Sequence, residues 1–191
     1  MDRELVSVLM VNYNRGTTIG ESTKSVLAQT YTDLELIIVD DGSTDDSCSV
    51  IESIKDPRIK LYRLEQNEHI SHATNYGFQK VTGAYLARID SDDIWYPQKL
   101  EKQITFLKNN PEYKICFAWI DLIDEYGNSI NEQQKELLGV FETTFQGQSD
   151  CLHRFFFGGN CLSHPSVVMR TELMRETGDF NLAYMQSHDF D

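Results

Sequence analysis

Leu34-Glu35-Leu36-Ile37-Ile38-Val39-Asp40-Asp41-Gly42-Ser43 runs through almost uninterrupted apolar side chains and then stops at two acids, a glycine and a serine. An apolar run of this length bounded by a turn reads as a strand covered on both faces, which is the habit of parallel sheets. Upstream, Val6 to Val11 is a second short β-rich run, ending in the polar turn Asn12-Tyr13-Asn14-Arg15-Gly16. Between the two, Thr18 to Gln29 fits a helix with Ile19, Ser22, Val26 and Leu27 on one face.

Downstream the alternation continues. Thr44, Asp45 and Asp46 are N-cap candidates for a helix to about Ile54. A third strand is expected over Ile59 to Leu64, and a helix over Ser71 to Lys80 that closes near Gly83. Ala84 to Ile89 reads as a fourth strand, stopping at Asp90-Ser91-Asp92-Asp93. Pro97 opens a helix to Asn109, since a proline fits the first helical turn. A fifth strand is expected over Ile115 to Ile120, with a hairpin turn at Tyr126-Gly127-Asn128.

Asn128 to Ser149 is polar and glycine-punctuated and is expected to be a mobile or inserted segment. Phe155-Phe156-Phe157 could wall an acceptor pocket, but three adjacent aromatics cannot share one helix face, and core packing is the expected role. A strand over Ser166 to Met169 and a helix from Thr171, ended by Gly178, follow.

This order predicts an α/β fold: an open, mostly parallel twisted sheet with helices on both faces. The 191 residues suffice for one domain with a sizeable core. Ligands of such sheets sit beyond the carboxyl ends of the strands, where both acidic clusters fall.

The net charge is −13 and the pI about 4.7. So acidic a surface repels nucleic acid and anionic lipid. A phosphate-bearing ligand would need local compensation, which a divalent cation held by carboxylates supplies. The cysteines Cys48, Cys116, Cys151 and Cys161 form no Cys-x-x-Cys pair, which argues against zinc and for reduced thiols. No signal peptide is visible, and no apolar stretch approaches the ~20 residues of a membrane span.

Three carboxylates within Asp90-Ser91-Asp92-Asp93 repel one another unless a cation neutralises them. Oxygen ligands in an open turn suit Mg²⁺ or Mn²⁺, which keep waters and share coordination with substrate phosphates. Asp90 and Asp92 are the expected metal ligands, and Asp93 in part a helix cap. In Asp40-Asp41-Gly42-Ser43, a carboxylate can accept a base N–H and the glycine admits close approach of a ligand.

Taken jointly, Val6 to Arg15, Ser25-Val26-Leu27-Ala28-Gln29-Thr30-Tyr31, Val39 to Asp45 and Asp90-Ser91-Asp92-Asp93 resemble the family 2 glycosyltransferases of GT-A fold. The resemblance covers essentially the whole chain. It implies a Rossmann-like nucleotide-sugar-binding part over residues 1–93 and an acceptor-side part over 94–191. It further implies that Asp41 binds the imide of uracil with Tyr13 packed near the base, and that Asn14 and Ser43 belong to the nucleotide-sugar site. Asp92 would ligate Mn²⁺ or Mg²⁺ on the diphosphate, and Asp90 would lie near the ribose or in the metal shell.

The implied reaction transfers a sugar from a nucleoside diphosphate, expected to be a UDP-sugar, to an acceptor hydroxyl of a glycan or glycoconjugate, with inversion. The family's base is the aspartate of a Glu-Asp pair, matched here by Ser187-His188-Asp189-Phe190-Asp191. Asp189 is the implied base, Asp191 the second choice, and His188 replaces the glutamate. The family's chains continue further, so a sequence cut short is expected. A bacterial polysaccharide or glycoconjugate pathway and a cytoplasmic location are implied; a full-length protein could associate with the inner face of the membrane.

Departures stand in the segment Asn67 to Gly77, where Thr74 occupies an arginine position and His69 a glycine position. Threonine offers one hydroxyl where arginine offers a fork. His164, before Pro165, could face the acceptor or serve as a core hydrogen-bonder, and Trp95 is expected beneath the metal loop. These departures keep open a non-catalytic nucleotide-sugar-binding module. A phosphotransfer receiver is disfavoured because Asp121, not lysine, follows Ile120, and a dinucleotide domain because the first turn lacks the glycine fingerprint.

Overall fold

A computed structural model of the chain describes residues 4–142 and 148–183. Four parallel strands form its centre: β1 (Val6–Asn12), β2 (Leu34–Asp40), β3 (Ile59–Arg63) and β4 (Tyr85–Asp90). Two short strands, β5 (Ile115–Cys116) and β6 (Val168–Arg170), extend the sheet; β6 runs antiparallel to both β4 and β5. The spatial order is β3-β2-β1-β4-β6-β5. The chain therefore winds outward from β1 through β2 to β3, then returns to place β4 on the other side of β1. That reversal opens a crevice at the carboxyl ends of β1 and β4.

Helices cover both faces, as the alternating pattern requires. On one side α1 (Ile19–Leu27), α2 (Ser47–Ser53) and α4 (Lys99–Asn109) pack Ile19, Val26, Ile51, Leu100 and Ile104 against Val8, Met10, Leu36, Ile38 and Ile89. On the other, α3 (Ile70–Phe78) and α7 (Thr171–Thr177) cover Leu9, Ile37, Val39 and Leu86 with Ala73 and Met174. Every residue of β2 is buried. Each such aliphatic side chain contributes about 1.5–3 kcal/mol relative to exposure. Gly77 of α3 lies against Leu9, where a Cβ would come within 2.4 Å of its Cδ1, so α3 can sit this close to the sheet only without a side chain there.

Glu35 is the charged exception in β2. Its carboxylate accepts from Ser7 Oγ and Lys60 Nζ, and from Thr82 through both N–H (3.1 Å) and Oγ1 (2.7 Å). Burial alone would raise its pKa, but Lys60, Ser7 and Thr82 more than offset this and hold it below the usual value. Ser7 Oγ also accepts from Gly83 N at 2.8 Å, so one buried network ties β1, β2, β3 and the entry to β4 at the end of the sheet remote from the crevice.

Several expectations change beyond α4. The fifth strand stops at Cys116 instead of Ile120: Ser166 Oγ accepts the Ala118 N–H at 3.1 Å, and Trp119 faces solvent. The segment expected as an insert contains α5 (Lys135–Phe141), where Lys135, Glu136, Leu137 and Leu138 are strong helix formers that outweigh Gly139. Phe155 to Phe157 lie within α6 (Gln148–Gly158), yet Phe156 and Phe157 are 76% and 81% exposed, so they do not pack in a core. Three consecutive helix positions about 100° apart cannot share one face, and here Phe155 is partly buried while Phe156 and Phe157 point outward. The strand at Ser166 to Met169 begins at Val168, because His164–Ser166 form a 3₁₀ turn. Asp93 caps no helix; α4 starts only at Lys99. The turn at Tyr126-Gly127-Asn128 is present, with Gly127 at φ +80° and a bridge between Ile123 and Ser129.

Candidate functional site: a donor crevice at the strand ends

Strand register brings the polar ends together. Asn12 pairs with Asp40, and Val11 with Asp90, so the ends of β1, β2 and β4 share one rim. The first turn is held by an interlocked set of hydrogen bonds. Asn12 Nδ2 donates to Asp40 Oδ2 (2.7 Å) and Ser43 Oγ (3.2 Å), while Asp40 Oδ1 accepts from Ser43 N (2.9 Å). Ser43 Oγ also accepts from Asn14 N at 2.9 Å, and Asn14 Oδ1 accepts from Thr44 N at 2.8 Å. Asn14 adopts φ +52°, which asparagine tolerates better than most residues. These bonds hold Asn14 and Ser43 together at the rim, with Tyr13, between Asn12 and Asn14 in sequence, 43% exposed.

Asp40 is thus a turn former, and Asp41 is the second carboxylate at this strand end. Asp41 is 2% exposed; its N–H donates to Asn12 O (2.8 Å) and its Oδ1 accepts from Glu68 N (2.8 Å). Burial raises its pKa, opposed by the N–H groups of Glu68 and His69. Gly42 is needed beside it. Its φ is +72°, and a Cβ would lie 2.5 Å from the Gln66 carbonyl carbon, so the 66–69 segment can close over Asp41 only with glycine there.

The second cluster is suspended from α1. Ser91 O accepts from Thr18 Oγ1 (3.1 Å) and Ser22 Oγ (2.9 Å), and Trp95 N donates to Ser25 Oγ (3.1 Å). Trp95 is buried beneath this loop, as expected, with its indole N–H directed at Pro165 O (3.4 Å). Asp90 and Asp92 remain about half exposed. Asp93 is half-buried; desolvation, then the charges of Asp90 and Asp92, push its carboxyl up to about 6. Such crowding is what a cation would relieve.

Among the described residues no group of three or more His, Cys, Asp or Glu side chains converges as a metal cage. One or two carboxylates in an open turn nevertheless fit Mg²⁺ or Mn²⁺, whose remaining ligands are waters and phosphate oxygens. Asp92 Oδ2 is engaged instead by Arg15 Nε at 3.2 Å.

Two arginines escaped the sequence reading. In the sequence Arg15 belongs to the first turn and to the stretch that carries the family resemblance, with nothing to mark its pairing with Asp92. Arg88 carried a signal: it is the lone cation within the apolar run of β4. It is buried, lies 3.6 Å from Asp90 Oδ1 through Nη2, and places Nη1 2.9 Å from the His164 ring nitrogens. A guanidinium only donates, so the facing ring nitrogen accepts. His164 also meets the Phe180 ring edge-on at 6.1 Å. Thr74 is fully buried on α3 and its hydroxyl has no hydrogen-bond partner among the described residues. Asp189, with His188 and Asp191, lies outside the described residues.

The model of glycosyl transferase family 2 matches residues 7–176. The chain belongs to that family. Over its whole length it is 31% identical to an uncharacterized glycosyltransferase, MJ1057, of Methanocaldococcus jannaschii, of which it covers 64%. Across 98% of its length it is 31% identical to the Escherichia coli UDP-Glc:alpha-D-GlcNAc-diphosphoundecaprenol beta-1,3-glucosyltransferase WfaP, of which it covers 68%. Two solved structures share the fold. Staphylococcus aureus TarS 1-349 in complex with UDP superposes with a TM-score of 0.74 at 20% identity, over 96% of this chain and 52% of that one. The mannosyltransferase PcManGT of Pyrobaculum calidifontis, in complex with GDP-Man and Mn²⁺, gives 0.69 at 18% identity, over 95% and 49%. The family 2 chain described here thus spans about two thirds of these relatives and half of the solved chains. The GT-A architecture expected from the sequence is the one observed.

Proposed function

We propose that residues 1–93 bind a UDP-sugar and that the chain is the catalytic part of an inverting glycosyltransferase acting on a glycan or glycoconjugate hydroxyl. The observation that carries this reading is Asp41: a buried carboxylate at the strand ends, with one oxygen tied to the Glu68 N–H and the crevice beside it. A carboxylate so placed accepts an imide N–H and turns away bases that offer an acceptor there. WfaP, whose name specifies UDP-Glc, and TarS, solved with UDP, support a uridine donor.

Asp92, with Asp90 beside it, would hold a divalent cation; PcManGT with Mn²⁺ supports metal use in this fold. When bound, such an ion supplies Lewis-acid stabilisation of the departing diphosphate. Arg15, which pairs with Asp92 in the structure, would add a positive charge beside the same diphosphate. Residues 94–191 would present the acceptor, with Asp189 taking the proton of the attacking hydroxyl as it approaches from the face opposite the leaving group. Among the described residues no helix is long and apolar enough to cross a membrane. The diphosphoundecaprenol acceptor named for WfaP supports work at a membrane surface.

Calorimetric titration with UDP, with and without Mn²⁺ and with GDP as control, tests the reading. UDP binding that is strengthened by the metal and exceeds GDP binding is expected; absence of UDP binding under both conditions overturns it.

A further inference from the structure

Among the described residues, Asn14 and His69 are the non-glycine residues with positive φ. His69 combines φ +71° with ψ 158°, a region that glycine alone enters readily. The strain is concentrated beside Asp41. The His69 N–H is directed at the Asp41 carboxylate and at Asn67 Oδ1 (3.2 Å), next to the Glu68 N–H. Its side chain is close enough to Asp41 for a charge interaction. Yet the residue is exposed, and its ring makes no hydrogen bond to a described residue. Glycine would present the same N–H without the steric cost. Among the described residues no hydrogen bond therefore compensates for having a side chain there, and the exposed histidine stands on the segment whose N–H groups meet the Asp41 carboxylate.

We propose that His69 is a base-reading residue: its imidazole N–H donates to the carbonyl beside the imide N–H that Asp41 accepts. Acceptor and donor side by side match the N–H and C=O of uracil. Cytosine presents the reverse pattern, a ring acceptor and an amino donor, and is mismatched at both positions. The inference rests on the donor reading above and names the residue that completes base selection in it.

Binding of UDP and CDP to the 191-residue chain, with Mn²⁺ present, is compared by calorimetry for the wild type, His69→Ala and His69→Gly, together with thermal melting. Both variants are expected to lose about five- to tenfold in UDP affinity, the value of one hydrogen bond, with CDP affinity unchanged, so that discrimination narrows. His69→Ala keeps the Cβ and melts near the wild type. His69→Gly removes the strain and melts a few degrees higher. A more stable protein that reads uracil less well is not what a purely structural histidine would produce. Retention of wild-type UDP affinity and UDP/CDP ratio by His69→Ala overturns the proposal, whatever His69→Gly does, because the ring is then dispensable. A wild-type chain that binds no UDP fails the donor reading itself and takes this inference with it.

Discussion

Asp41 offers a carboxylate where an amide of the same shape would offer a donor, and this makes Asp41→Asn a clean change. The asparagine Oδ1 can still accept from Glu68 N, so the fold should persist, and the cost of burying a charge disappears. UDP affinity is expected to fall about 10- to 100-fold, the value of a charge-assisted hydrogen bond, with a melting temperature at or above that of the wild type. An unchanged calorimetric UDP affinity would remove Asp41 from base recognition. Gly42→Ala acts on the same carboxylate indirectly. The new Cβ meets the Gln66 carbonyl carbon at a φ of +72°, and the expected loss is about 1–3 kcal/mol of stability in urea unfolding. Because the 66–69 segment must shift off Asp41, UDP binding should weaken in step. A variant that loses stability while binding UDP as before would show that the segment and the base site are independent.

Among the elements, α4 carries an unusual feature at its first residue. Lys99 Nζ is sealed from solvent, has no hydrogen-bond partner among the described residues and lies 4.0 Å from the Trp95 ring centroid. Burial lowers its pKa from 10.5 to about 7, with Cys116 the nearby titratable group. The unfolded chain then holds a proton that the folded chain lacks between about pH 7 and pH 10.5, so this lysine makes stability rise with pH across that window. Below pH 7 both states are protonated and the full burial cost remains. Lys99→Met is expected to melt several degrees higher near pH 6, with the advantage shrinking toward pH 10; parallel melting curves for both proteins over that range would contradict the assignment. How legible the elements were follows from the same physics. β2 and β4 could be read directly because double-sided burial demands continuous apolar runs, which is also why their acidic ends stood out. β5 could not, since its end is decided by Ser166, fifty residues away in the chain. α6 was misjudged because three phenylalanines in a row imply a core only if the helix faces one, and this helix leaves Phe156 and Phe157 in solvent. At the site, both acidic clusters are legible as carboxylates at strand ends, but the roles expected of Asp41 and Asp92 come from the family resemblance, and those of Arg88 and Arg15 depend on side chains 76 and 77 residues distant, His164 and Asp92.

At the scale of the whole molecule, the net charge of −13 opposes any donor bearing a diphosphate. The crevice answers this field unequally. Arg88 is committed to Asp90 and His164, and Arg15 to an exposed pair with Asp92 that contributes little to stability by itself. Two arginines beside Asp90, Asp92 and Asp93 leave the loop net negative, so diphosphate binding should depend on an added cation more than on side-chain charge. The expected consequence is that Mn²⁺ strengthens UDP binding far more than it strengthens uridine binding, which lacks the phosphates. Asp92→Asn should abolish that enhancement while leaving uridine affinity and thermal stability near the wild type, because Asp92 is half exposed and supports no core contact. Raised salt should not weaken the metal-free UDP interaction, since beyond a Debye length of about 10 Å at 0.1 M it screens the repulsion between the acidic protein and the diphosphate. If Asp92→Asn keeps the full Mn²⁺ enhancement, the cation is held elsewhere, and the pairing of Asp92 with Arg15 is then a structural latch of the loop and no part of diphosphate recognition.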